Sequence, residues 1–90
     1  MEEKFLAALA QARKDAETLG VRIRPINDMS GAHRALSGHR ESDGFFPLAD
    51  KGRLDLTLEA LAVKKQFTAL FSDEEANNAL TRLLAAGYRF

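Results

Sequence analysis

The chain predicts an α+β fold: a small, mostly helical single domain over residues 1–90, with three main helices, one minor helix and a short two-stranded β element. Three observations carry this prediction. Apolar residues recur at spacings of three and four in 2–19 and again from Leu56 onward. The junction Phe71-Ser72-Asp73-Glu74-Glu75 has the form of a capping box, in which the Ser72 hydroxyl and the Glu75 carboxylate each serve the other's backbone N–H. Val21-Arg22-Ile23-Arg24 alternates apolar and basic residues at the period of a strand.

Taken in order, the first helix spans 2–19, with Phe5, Leu9, Ala12, Ala16 and Leu19 on one face, Glu2 and Glu3 in its first turn and Gly20 as its stop. Its seam of Ala8, Ala12 and Ala16 allows close approach of a neighbour, either the domain core or a partner. Residues 21–26 follow as an edge strand limited by Pro25. Asn27-Asp28 turns the chain into a short helix over 30–37, closed by Gly38 and burying Ala32 and Leu36. The polar, glycine-bounded stretch within 37–52 reads as a mobile surface loop, pinned at its far end by Phe45 and Phe46. From Arg53 two patterns overlap, since Leu54, Leu56 and Leu58 alternate while Leu56, Ala60, Val63, Phe67 and Leu70 follow helical spacing. The length of the run favours a helix from 53 or 57 to 71, with a strand over 53–58 as the alternative. The last helix, 73–86, turns Ala76, Leu80, Leu83 and Leu84 inward and stops at Gly87, leaving Tyr88-Arg89-Phe90 to pair with the strand at 21–26.

Composition narrows the function. An apolar fraction of 46% and a charged fraction of 29% are those of a folded domain. The 13 basic and 13 acidic residues cancel, so no global field would hold the protein on nucleic acid or an anionic membrane. With no cysteine there is no disulfide framework or thiolate chemistry, and the acidic start Met1-Glu2-Glu3 does not resemble a signal peptide. No apolar run reaches the length of a membrane span. The expected location is the cytoplasm.

No catalytic constellation or cofactor site is expected. His33 and His39 lie near Asp28, Glu41 and Asp43, but across a helix end and a glycine turn nothing makes them converge on a metal. Ser30, Ser37 and Ser42 lack an elbow that would present a nucleophile, and the glycines form neither a Walker nor a dinucleotide motif. Asn77, Asn78, Lys64, Lys65 and Arg82 read as solvated positions.

The remaining signal is charge distribution. Residues 21–53 hold six basic side chains (Arg22, Arg24, Arg34, Arg40, Lys51, Arg53) against four acidic ones. The leading expectation is a cytoplasmic protein-interaction or regulatory module without catalytic activity, contacting a protein partner or a second copy through the alanine-rich face or through Arg40, Phe45 and Phe46. The alternative is a weak nucleic-acid-binding domain of helix-turn-helix or winged-helix type using Arg22, Arg24, Arg34 and Arg40. The three carboxylates that open the last helix oppose that alternative, since they would meet the phosphate backbone.

Overall fold

The computed structural model describes residues 2–38 and 40–88. It contains five α-helices: α1 (Glu2–Thr18), α2 (Met29–Ser37), α3 (Phe45–Asp50), α4 (Leu58–Ala62) and α5 (Asp73–Ala85), with 3-10 turns at Leu54–Leu56 and Thr68–Leu70. Among the described residues there is no strand, which corrects the α+β expectation to an all-helical fold. The two segments meant to pair are used otherwise. Residues 21–27 run without turn or bend, and the Arg24 N–H donates to the Asp43 carboxylate at 2.7 Å instead of to a neighbouring strand. At the other end the chain turns back at Gly87, where φ is +84° and only glycine sits without strain, and the Tyr88 N–H donates to the Leu83 carbonyl at 2.9 Å. That bond closes α5 and removes Tyr88 from any ladder; Arg89 and Phe90 lie outside the described residues.

The helix boundaries that depend on local chemistry fall where the sequence places them. Ser72 and Glu75 form both halves of the capping box, at 3.1 and 2.8 Å. The first helix ends at Gly20, with the Val21 N–H on the Ala16 carbonyl and the Gly20 N–H on that of Glu17, each at 3.0 Å. Asp28 caps α2 by accepting the Gly31 N–H at 2.8 Å.

The long helix expected from 53 or 57 to 71 is instead broken into a 3-10 turn, α4, a turn and a second 3-10 turn. Unbroken, it would be about 28 Å long, close to the full 30 Å length of the molecule, and would turn only one face to the core. The breaks allow seven successive residues, 56–62, to be buried. Thr57 makes the first break. Its extended backbone stops the 3-10 turn while its buried hydroxyl donates to the Leu54 carbonyl at 2.7 Å and accepts the Ala60 N–H at 3.1 Å, starting α4.

α4 is therefore the enclosed centre, with α5 and α1 packed against it, α2 packed on α5, and α3 on the turn at Leu54–Leu56. Phe5 of α1, fully buried, meets the rings of Phe67 and Phe71 edge-on at centroid distances of 5.2 and 5.1 Å. A second cluster joins Phe45, Leu54, Ala60 and Leu83. Ala12 and Ala16 are buried in the main cluster, so the alanine seam of the first helix belongs to the core. Within 37–52, α3 drives Phe45 and Leu48 into the interior, while Phe46 is 59% exposed. Gly44 ahead of α3 has φ +81°, and a Cβ there would stand 2.6 Å from Ile23 Cγ1, so the chain passes too close to the 21–27 segment for any other residue. Among the described residues no helix is long and apolar enough to cross a membrane.

The α5 cap is open to a direct check. Ser72→Ala removes one half of the capping box and should cost about 1 kcal/mol, read as a fall in Tm of about 4–8 °C for a domain of this size. Thermal melting followed by circular dichroism measures it.

Candidate functional site

A groove of about 390 Å³ opens between α1, the 21–27 segment and α2. Leu9 of α1, Ile23 and Ile26 of the segment, Ala35 of α2, and Leu56 and Leu58 make its walls apolar. Three arginines from three different elements also line it: Arg13 of α1, Arg24 of the segment and Arg34 of α2. Among the described residues Asp43 is the one acidic member of the lining, and its carboxylate accepts the Arg24 N–H. Arg13 is paired along its helix with Glu17 at 3.2 Å. Neither the Arg24 nor the Arg34 guanidinium is held by a side chain among the described residues, and both residues are exposed.

The wall formed by α2 is fixed by a buried polar network. Arg82 of α5, 8% exposed, reaches across to the C-terminal end of α2. Its two terminal nitrogens make two bonds each: one to the Ala35 carbonyl at 3.2 Å and Glu59 Oε2 at 3.1 Å, the other to the carbonyls of Leu36 at 3.3 Å and Gly38 at 2.6 Å. The guanidinium thus satisfies carbonyls that the end of a helix leaves free and places positive charge at the negative end of its dipole. Gly38, expected to end this helix, has ordinary negative φ, so the closure comes from Arg82. Glu59 of α4, fully buried, balances the charge and also accepts the Ser42 N–H at 2.8 Å and the Ser42 hydroxyl at 2.5 Å. Asn78 adds a bond to the Leu36 carbonyl at 3.0 Å. No buried side-chain nitrogen or oxygen among the described residues lacks a partner.

A second polar contact joins the same two helices. His33 Nδ1 of α2 lies 2.7 Å from Glu75 Oε2 of α5, and the ring packs edge-on against Phe71 at 5.3 Å. Ser37, one turn along α2, donates to the His33 carbonyl at 2.7 Å. Burial opposes the charged form of Glu75, but the Ser72 N–H and the His33 ring outweigh it and hold its carboxyl below the usual glutamate range. Among the described residues no three His, Asp or Glu side chains are grouped so as to hold a metal ion; His39 lies outside those residues.

The structure separates the residues singled out from the sequence. Arg24 and Arg34 share the groove. Arg22 borders a shallow depression with Glu17 and Gly20, and Arg40 is exposed on the loop before α3. Phe45 is core, and its ring meets that of exposed Phe46 at 5.5 Å. The inward face of α5 is rotated from the expected one. Glu75, Ala79, Arg82 and Leu83 are buried while Leu84 is 62% exposed, because a polar stripe faces α2 and α4. Arg82 and Asn78, read as solvated, hold α2 in place. Glu59 is the residue with a usable signal in the sequence, a single charge within the otherwise apolar run Leu58–Val63. A charge in such a run requires a buried partner.

Two stability measurements follow. Glu59→Gln keeps the volume but leaves Arg82 without its counter-charge, and should cost about 3–5 kcal/mol in denaturant unfolding. A loss below about 1 kcal/mol would mean that water reaches the pair. Because Glu75 titrates lower in the folded chain than in the unfolded one, its contribution is complete above its ordinary value of 4.5 and is lost as pH falls through and below that value. Glu75→Gln should therefore flatten the decline of stability with acidification over that range. Comparison of the chain with protein-family models, with curated proteins and with solved structures gave no match.

Proposed function

We propose that this chain is a non-catalytic, cytoplasmic protein-interaction module, and that a segment of its partner binds in the groove between α1, the 21–27 segment and α2. The observation that carries this reading is the groove itself: an apolar hollow flanked by two arginines that no side chain among the described residues engages. Apolar floors with arginine at the margin are the composition of interaction surfaces, where arginine is enriched and contributes to hot spots. At about 390 Å³ the hollow is small. It suits a few side chains of a docked segment, at the low end of the roughly 300–1,000 Å³ of ligand pockets. The cysteine-free sequence suits a reducing compartment.

The network behind the groove supports the same reading. Arg34 and Ala35 belong to α2, whose C-terminal end is anchored by Arg82, so that wall is positioned before a partner arrives. A preorganised wall lowers the entropy lost on binding.

Selection of displayed random peptides against the folded protein tests the proposal. The expected result is enriched peptides that shift the backbone amide resonances of Leu9, Ile23, Ile26 and Leu58 in heteronuclear NMR. Peptides that shift only residues elsewhere, or short duplex DNA that binds with steep salt dependence while no peptide is enriched, would overturn it.

A further inference from the structure

Resting on the groove reading above, we infer that the partner segment is acidic as well as apolar, its carboxylates meeting Arg24 and Arg34 and its apolar side chains entering between Leu9, Ile23, Ile26 and Leu58. Three arginines against one aspartate give the lining a positive surplus in a chain whose overall charge is zero. This charge is local, and long-range attraction of the whole protein does not account for it. Arg13 has Glu17, but Arg24 and Arg34, both exposed and lining the groove, have no ion-pair partner for their guanidinium groups among the described residues. A carboxylate meets a guanidinium through two parallel hydrogen bonds, as a phosphate also can, and on an apolar peptide it comes with the side chains that the lining between the arginines accepts.

The distribution of charge favours a peptide over a single-headed amphiphile. Arg24 and Arg34 are ten residues apart in the chain and sit on different elements, a coil segment and a helix. A chain bearing acidic side chains at intervals can meet both, whereas one headgroup on an alkyl tail presents its charge at one point. Asp43 adds discrimination. Its carboxylate lines the groove beside the Arg24 backbone, so a ligand carboxylate placed there meets like charge, and the acidic side chains must lie toward Arg34 and the outer part of Arg24.

The test uses two fluorescein-labelled peptides of equal length, one alternating leucine with glutamate and the other leucine with glutamine. The glutamate peptide should bind about tenfold more tightly, as expected for two partly exposed charge contacts. It should also shift the amides of Leu9, Ile23, Ile26 and Leu58. The difference should vanish in Arg24→Ala/Arg34→Ala, whose fold is checked by an unchanged Tm. Equal binding of the two peptides at these amides would overturn the acidic specificity and leave the groove reading standing. Silence of both peptides at the groove, or shifts there with laurate or short duplex DNA alone, would overturn the inference. The groove reading then falls only if peptide selection also returns nothing that binds there. The peptide comparison is made on the unaltered protein, so it remains decisive even if the double variant fails to fold.

Discussion

The buried guanidinium of Arg82 is the contact on which the arrangement of helices depends. It belongs to α5, its counter-charge to α4, and three of its four bonds go to backbone carbonyls at the end of α2. Glu59 passes the connection to the loop before α3 through both the N–H and the hydroxyl of Ser42. Four parts of the chain are thereby registered on one ion pair. A buried pair of this kind adds little stability over a well-packed apolar substitute, because removing two charges from water offsets their attraction. Its effect is positional. With directed donors and no slack, α2 has one placement relative to α5 that leaves nothing buried unsatisfied, and a shift along either helix would strand a charge in the interior.

That placement makes the groove. α2 is held at its C-terminal end by α5, and the 21–27 segment borders the groove without a partner strand among the described residues. The apolar residues of the floor come from five places in the sequence, and the arginines at the margin come from three. None of those elements could present the surface alone. The same network explains why so polar a stripe faces inward on α5: Glu75 answers His33, Asn78 and Arg82 answer the end of α2, and Leu84 is left in water.

What could be read before folding was local. The capping box at Ser72 and Glu75 and the stop at Gly87 are decided by residues within a few positions of one another, and both appear as read. The first helix follows the same logic from Glu2 to Gly20. The readings that changed were those requiring a distant partner. Alternation at 21–24 is compatible with a strand, but a strand needs a second one, and Tyr88, the described residue of the segment meant to supply it, gives its N–H to the Leu83 carbonyl instead. Helical spacing from Leu56 to Leu70 was real, yet one face of a straight helix could not bury residues 56–62, and Thr57 offered a place to break. Of the arginines singled out, Arg24 and Arg34 meet at the groove, whereas Arg22 and Arg40 do not line it.

The sequence by itself determined the extent of the first and last helices and that the chain has the composition of a folded domain, because caps, glycine stops and apolar periodicity act over one or two turns. Only the tertiary structure decided which face of α5 is inside, that Arg82 and Glu59 are interior rather than solvated, and that Arg24 and Arg34 flank one apolar hollow. The physical reason is range. Hydrogen-bond caps are settled among near neighbours, but the burial of a charge is settled by whatever the rest of the chain brings to it, 23 residues away for Glu59 and Arg82 and 46 for the Leu36 carbonyl.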